Sequence, residues 1–301
     1  MKENLLKFYL NELKCEEKPE FLEKYLEAPS LKRLEKIGYF CGMDYASKNI
    51  YNFKEHITRF DHSLTVALLT WKCTKDKKAT LAGLFHDIST PCFSHVIDYM
   101  NKDYKKQEST EEYTEDIIKK DKYLLKCLKE DNVNIDDIIN FKKYSIVDND
   151  RPKLCADRLD GVILTGIAWT KNIQYDDIKN IINDIHIYDN EIGFKTKEVA
   201  DKVVSVSKSI DIYCHSKEDN YMMELLAKIA KYGIDKKYIT YSELFTSTEE
   251  NIINKLKNTY DKQLLDYFNE FENISQNEIP DIDLPDVKIR DLKPIANGKR
   301  I

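Results

Sequence analysis

Glycine and proline are scarce in this sequence, at 8 and 7 of 301 residues. Because both residues interrupt helices, their scarcity favours long helices joined by short loops. The seven cysteines include no Cys-x-x-Cys pair, and an odd number fits neither a disulfide framework nor a zinc knuckle. No apolar run approaches the length of a membrane span, and the first ten residues lack a signal-peptide core. These absences predict a cytoplasmic protein with no membrane segment.

An excess of positive charge is also missing, since 47 Lys and Arg residues face 53 Asp and Glu residues, for a net charge of −6. Both signs are interspersed along the chain, which argues against binding of extended nucleic acid. A local basic pocket for a small phosphorylated molecule remains compatible with this balance. The sequence leaves a homo-oligomer open.

Helical periodicity covers most of the chain and predicts one mostly α-helical, compact unit over residues 1–301, without repeats or low-complexity linkers. Residues 38–57, rich in Tyr and Asn, are expected to form loops and short turns. The predicted helices cover about 3–15, 19–26, 58–73, 77–86, 92–101, 135–141, 151–170, 196–213, 218–232, 248–258 and 260–271.

Strand signals are few. Residues 186–195 alternate around Asp189-Asn190 and predict a β-hairpin. The segment from Ile279 contains three prolines and is expected to be extended, with one edge strand at 287–290.

Three polar residues, His62, His86 and Asp87, stand in the most apolar part of the chain. A histidine–aspartate pair at the end of an apolar helix is costly to bury unless something compensates it. A metal ion would do so, and Asp157, much later in the chain, is a further candidate ligand. Imidazole and carboxylate together suit one divalent ion, and Mn, Fe, Zn, Ni and Mg all remain open.

A separate histidine, His95, could protonate a leaving oxygen, and Asp98 shares its helix face three residues later. Each residue also has an ordinary explanation when taken alone. His62 could be a boundary histidine, Asp157 a salt-bridge partner of Arg158, and Asp98 a surface carboxylate. The joint arrangement is what favours an active site.

This arrangement resembles the HD superfamily of metal-dependent phosphohydrolases, and within it most closely the branch of the deoxynucleotide triphosphohydrolases. The resemblance covers about residues 55–170 and rests on motifs in matching order and spacing. These are RFDHSL at 59–64, LFHDI at 84–88, PCFSHVID at 91–98 and ADRLD at 156–160.

The resemblance implies a fold and a set of roles. It implies a helical HD core at about 55–170, followed by a C-terminal helical subdomain at about 185–301 with the small hairpin. In the core, one metal ion would be bound by His62, His86, Asp87 and Asp157. His95 and Asp98 would act as an acid/base pair, and Arg59, whose planar guanidinium can hold two phosphate oxygens, would contact phosphate. Asp160, one turn after Asp157, would orient a neighbour rather than bind the metal.

The sequence departs from this branch at positions that read the nucleotide. Thr90 stands where the branch has a second catalytic histidine, and Gly161 where it has a tyrosine that recognises deoxyribose. A His-Glu pair of the branch corresponds to Glu111-Glu112 or, in another alignment, to Gln107-Glu108. Thr90 and Glu112 are therefore expected near the substrate without the branch's chemistry, and a deoxynucleotide triphosphohydrolase assignment does not follow.

Three hypotheses follow from these observations. The leading one is a metal-dependent phosphohydrolase that cleaves a phosphoester or phosphoanhydride bond in a small phosphorylated molecule, with nucleotides among the candidates. The second is a regulatory module that binds nucleotide or phosphate with weakened catalysis. The third is a helical structural protein whose histidines have no chemical role.

Overall fold

A computed structural model describes residues 4–14, 19–105, 109 and 113–301 of the chain, and it is predominantly helical. None of the helices in these ranges is both long and apolar enough to cross a membrane. The helices are α1 (Leu5–Lys14), α2 (Leu22–Leu26), α3 (Pro29–Lys32), α4 (Arg59–Thr74), α5 (Lys77–Phe85), α6 (Val96–Met100), α7 (Thr114–Lys120), α8 (Lys122–Glu130), α9 (Ile135–Ile139), α10 (Ala156–Ala168), α11 (Tyr175–Asp184), α12 (Lys197–Cys214), α13 (Lys217–Asp235), α14 (Glu243–Thr246), α15 (Glu249–Lys257) and α16 (Lys262–Asn273).

The mostly α-helical fold class and the hairpin are confirmed. The hairpin pairs β1 (Ile185–Tyr188) with β2 (Glu191–Phe194), and its turn residues Asp189 and Asn190 both have positive φ. A four-stranded sheet results because β3 (Ile295–Ala296) pairs in parallel with β2 and in antiparallel fashion with β4 (Lys299–Arg300).

Three local predictions are wrong. The helix expected from residue 92 begins only at Val96, because Phe93 and Ser94 have φ values of 66° and 46°, outside the helical region. The helix expected from residue 151 begins at Ala156. No strand forms at residues 287–290, which are described in full; the strands of this segment lie further on, at β3 and β4.

Helix α4 forms the centre of the structure and packs against α5 and α10. Its start is fixed by a capping box in which the Thr58 side chain and the Asp61 carboxylate each accept a backbone N–H of the other residue. The Asp76 side chain caps α5 by accepting from the N–H groups of Lys78 and Ala79. The two caps fix the residues at which α4 and α5 begin, and thereby the positions of the first turn of α4 and the last turn of α5.

The C-terminal half packs against this core through α12 and α13. Most buried apolar side chains, from Leu5 to Ala296, belong to one connected cluster. The division into an HD core at about 55–170 and a C-terminal subdomain at about 185–301 stays a prediction.

The contact between α10 and α12 depends on the absence of a side chain at Gly166. A Cβ atom there would lie 2.3 Å from Ile173 Cγ1 and 3.0 Å from Val206 Cγ1, both on buried residues. We expect Gly166→Ala to lower the free energy of unfolding by about 1–3 kcal/mol through overpacking, as measured by urea denaturation. Ile212→Ala, at an exposed position of α12, serves as the control and should change stability by less than about 0.5 kcal/mol.

Candidate metal centre

Four predicted ligands converge between α4, α5 and α10. His62 lies in the first turn of α4, His86 and Asp87 follow the end of α5, and Asp157 lies in the first turn of α10. His62 Nε2 is 3.1 Å from Asp157 Oδ1 and 3.8 Å from Asp87 Oδ2. His86 Nε2 is 3.6 Å from Asp157 Oδ1 and 3.7 Å from Asp87 Oδ1. Both imidazoles therefore turn the same nitrogen toward the same two carboxylates.

The other ring nitrogens are held by the protein. His62 Nδ1 lies 2.7 Å from Asp160 Oδ2, and the second oxygen of Asp160 accepts a 2.7 Å hydrogen bond from the Tyr9 hydroxyl. His86 Nδ1 donates to the Gly83 carbonyl at 2.8 Å. A hydrogen bond at Nδ1 fixes the ring and leaves Nε2 as the coordinating atom, as is common for metal-bound histidines.

Electrostatics within the cluster are strong because its groups are buried together. Burial alone lowers the pKa of His62, but hydrogen bonds to Asp157 and Asp160 outweigh it and raise that pKa to about 10. Burial likewise raises the pKa of Asp87, yet the charges of His86, Arg59 and His62 bring it down to about 2. Burial also raises the pKa of Asp157, but hydrogen bonds to His62 and His86 hold it well below its usual range, so both carboxylates stay ionised.

The Nε2 atom of His86 indicates whether these residues fit a metal ion. His86 Nε2 is buried and has no hydrogen-bond partner within the described residues. Buried polar nitrogens are seldom left without a partner, because the lost hydration costs about 1–3 kcal/mol. Donor atoms of His62, His86 and Asp87 lie within 4.8 Å of one another. The residues present fit one divalent ion, and the mixed nitrogen and oxygen set does not select its identity.

Asp157 also approaches a second group of donors, formed with Asp148 and Cys155, whose donor atoms again lie within 4.8 Å of one another. This group is less suited to a cation, because the Arg158 guanidinium lies 3.4 Å from Asp148 Oδ1. Burial raises the pKa of the Cys155 thiol to about 12, so the thiol stays protonated.

Arg59 lies directly beside the cluster, with its side chain only 9 % exposed. Its guanidinium donates to Asp87 Oδ2 at 2.9 Å, to Ser94 Oγ at 3.1 Å and to the Tyr39 carbonyl at 3.3 Å. The Tyr39 ring contacts the guanidinium from its face, 4.8 Å from ring centroid to Cζ, and also lies 5.1 Å from the His62 ring. Arg59 therefore ties the metal cluster to the loop that carries Ser94.

The predicted acid/base pair follows that loop, since His95 directly precedes α6 and Asp98 lies in its first turn. His95 Nδ1 and Asp98 Oδ2 are 2.9 Å apart, and the other Asp98 oxygen accepts from the Ser109 N–H at 3.2 Å. Asp98 is fully buried, whereas the His95 side chain is 28 % exposed. A buried carboxylate behind a partly exposed imidazole orients the ring.

Two further predicted residues remain to be placed. Thr90 is buried, and its carbonyl accepts a 2.6 Å hydrogen bond from Arg33. Glu112 and its alternatives Glu111, Gln107 and Glu108 lie outside the described residues.

Several residues that support the site escaped the sequence-based prediction. In the N-terminal region, Tyr9 donates to Asp160 and the Tyr39 ring packs against Arg59. Arg33 donates to carbonyl groups of the loop after His86. Glu249 of α15 is buried, and its two carboxylate oxygens accept the N–H groups of Gly38 and Phe93, each at 3.0 Å. Burial raises the pKa of Glu249 to about 7. None of these residues belongs to a local motif, and only the fold brings them to the site.

Comparison with known proteins gives a consistent result. Residues 59–161 match the model of the HD domain family. The chain is 24 % identical over 250 residues to the uncharacterized protein YdhJ of Bacillus subtilis. The aligned region covers 81 % of this chain and 73 % of that protein. Among solved structures, the chain is similar to that of a hypothetical protein from Aquifex aeolicus, with a TM-score of 0.59 and 17 % identity over 82 % of this chain and 69 % of that one. It is also similar to that of a phosphohydrolase from Bacteroides thetaiotaomicron, with a TM-score of 0.56 and 18 % identity over 82 % of this chain and 71 % of that one.

Removal of ligands tests the metal centre. We expect wild-type protein to carry one divalent ion per chain by elemental analysis, and His86→Ala or Asp87→Ala to lose it. Asp160→Asn should weaken metal affinity about 10–100-fold, because it disturbs the hydrogen bond that orients His62. His186→Ala, an exposed histidine of β1, is the matched control and should keep full metal content. Full metal content in the Asp87→Ala variant would contradict this assignment.

Glu249 offers a test by pH. Its pKa in the folded protein, about 7, lies above the value near 4.3 expected in the unfolded chain. The folded state therefore binds the proton more tightly, and this contribution to stability is present below pH 4.3 and is lost as pH rises toward 7. We expect the difference in unfolding free energy between wild type and Glu249→Gln to shift by about 3 kcal/mol in favour of the variant from pH 4 to pH 8. If the difference in unfolding free energy between wild type and Glu249→Gln stays constant with pH, the pKa of Glu249 is not raised in the folded protein.

Proposed function

We propose that this chain is a metal-dependent phosphohydrolase that cleaves a phosphoester or phosphoanhydride bond in a small phosphorylated substrate, as the match of residues 59–161 to the HD domain family suggests. The observation that supports this most strongly is the buried, unpartnered Nε2 atom of His86 beside the carboxylates of Asp87 and Asp157. A helical structural protein would gain nothing from burying such an atom next to two negative charges. The proposed ligands are His62, His86, Asp87 and Asp157.

A divalent ion held by these ligands supplies Lewis acidity, which lowers the pKa of water and polarises a phosphate group. The protein's own groups supply the remaining functions. Asp160 and the Gly83 carbonyl keep the two imidazoles in place. Arg59 adds a fixed positive charge beside Asp87, where it can bind a phosphate oxygen.

His95 is proposed to donate a proton to the leaving oxygen. It is the partly exposed member of a pair whose other member, Asp98, is buried and fixed by the Ser109 N–H. The Asp98 carboxylate, 2.9 Å from His95 Nδ1, holds the ring in place, so that its Nε2 is the atom available for proton transfer. Arg59 joins this pair to the metal cluster through Ser94, so that both groups can act on one bound phosphate.

A nucleotide is one candidate substrate. The resemblance to the deoxynucleotide triphosphohydrolase branch does not extend to its nucleotide-reading positions, as Thr90 and Gly161 show. Thr90 is buried with its carbonyl bound to Arg33, so it does not replace the missing histidine. The absence of this histidine also favours the second candidate function, a regulatory module that keeps the pocket for nucleotide or phosphate without efficient catalysis.

Turnover distinguishes the two candidates. We expect purified, metal-loaded protein to hydrolyse at least one member of a panel of phosphomonoesters, phosphodiesters and nucleotides. The double variant His86→Ala, Asp87→Ala should lose this activity, and His95→Gln should lower kcat about 100- to 10,000-fold while its metal content stays unchanged. His186→Ala again serves as the control and should retain wild-type kcat. Saturable nucleotide binding without any turnover would instead identify the regulatory module.

A further inference from the structure

Helix α6, which follows His95 and carries Asp98, is too short to hold its own position. It has 5 residues, and isolated helices of this length are not stable in water. The backbone on either side does not continue the helix, because Phe93 and Ser94 before it and Lys102 after it have positive φ. The position of α6 therefore depends on tertiary contacts.

Hydrogen bonds to the C-terminal half hold the chain on both sides of α6. Before the helix, the Cys92 N–H donates to the Leu244 carbonyl at 2.7 Å. After the helix, the Tyr104 hydroxyl donates to Glu224 Oε1 at 2.7 Å. Helix α6 itself packs against α13, whereas the proposed metal ligands lie on or directly beside α4, α5 and α10.

The link between α6 and α13 is a buried hydrogen bond from the Tyr99 hydroxyl to Asn220 Oδ1, at 2.8 Å. The two residues are only 5 % and 1 % exposed. The Asn220 amide nitrogen donates in turn to the carbonyls of Cys214 and Ser216, at 3.1 and 2.9 Å, in the turn between α12 and α13. Asn220 thus uses both ends of its amide, and a fully satisfied buried group of this kind fixes the parts that it joins.

Tyr99 directly follows Asp98, the buried carboxylate that lies 2.9 Å from His95 Nδ1. A displacement of the Tyr99 ring would therefore move the backbone that carries Asp98. On the side of the metal centre, the segment is joined to α4 by the hydrogen bond from Arg59 Nε to Ser94 Oγ. The metal centre and the acid/base pair are thus supported by different parts of the chain.

We propose that the C-terminal half positions the acid/base pair beside the metal centre, and that Asn220, acting through Tyr99, is the positioning residue. This inference rests on the proposed role of His95 as the acid. Proton transfer tolerates little misplacement, since an error of about 1 Å can cost about 100-fold in rate. Because Asn220 lies on α13, outside the metal cluster, its loss should affect proton transfer and leave metal binding intact.

Two substitutions break the link between α6 and α13. Tyr99→Phe removes one hydroxyl and keeps the ring, so kcat should fall about tenfold, and Asn220→Ala removes the whole amide, so kcat should fall about 100-fold. KM and metal content by elemental analysis should stay at their wild-type values. Tyr221→Phe is the matched control. Tyr221 also lies on α13, but its hydroxyl donates to Glu270 of α16, and its loss should leave kcat unchanged.

A measurement without turnover reports on the pair directly. In zinc-loaded protein labelled with 15N in its histidines, the ring nitrogen shifts show which nitrogen of His95 carries the proton. The His95 signals are identified by their loss in His95→Gln. In the neutral ring of wild type, the proton should lie on Nδ1, toward Asp98, whereas Tyr99→Phe and Asn220→Ala should show both tautomers. Tyr221→Phe should show the wild-type signals.

The outcomes separate this inference from the proposed function. An active enzyme that keeps its kcat in Tyr99→Phe and Asn220→Ala would overturn the inference and leave the proposed hydrolysis intact. Loss of metal from these variants would also overturn it, because Asn220 would then support the whole fold. If wild type turns over no substrate, the proposed function fails, and the His95 signals alone decide whether the pair is positioned by α13. Should Asn220→Ala fail to fold by circular dichroism, Tyr99→Phe decides the result.

Discussion

The structure depends on one electrostatic constraint, the burial of two imidazoles against two carboxylates inside an apolar helical core. Such groups are costly to desolvate unless each is paired or coordinated. Here His62 and His86 each have one nitrogen satisfied by the protein and the other facing Asp87 and Asp157. The four groups come within contact distance because side-chain caps fix the starts of α4 and α5 and because α10 begins at Ala156, directly before Asp157.

Further buried polar groups hold the four central side chains in place through hydrogen bonds. Tyr9 fixes Asp160, which fixes His62, and Arg59 connects Asp87 to Ser94, in the loop that precedes the proposed acid/base pair. Beyond the loop, Glu249 binds the Phe93 N–H and thereby stabilises a backbone with positive φ. Each support is buried, so a change in any of them would reach the metal cluster through short hydrogen bonds.

The part of this arrangement that could be predicted from sequence is the part encoded locally. Helical periodicity placed α4 and α5 within a residue or two, and the motifs that carry His62, His86-Asp87 and Asp157 pointed to four groups that the structure brings together. Tyr39, Arg33 and Glu249 could not be predicted, because their contacts join residues up to 214 positions apart and carry no motif. The turn at Phe93-Ser94 was missed for a related reason. Its unfavourable dihedral angles are maintained by tertiary hydrogen bonds rather than by glycine.

The hydrogen bond from Tyr9 to Asp160 and the bonds from Gly38 and Phe93 to Glu249 have a consequence for synthesis on the ribosome. When the proposed ligands His62, His86, Asp87 and Asp157 have all emerged, Glu249 has not yet been translated. The nascent chain therefore has the proposed metal ligands before it has the carboxylate that holds the loop at Phe93. A cation bound early could act as a nucleus for the core, whereas the surroundings of the site are completed only when the last fifth of the chain folds back onto it.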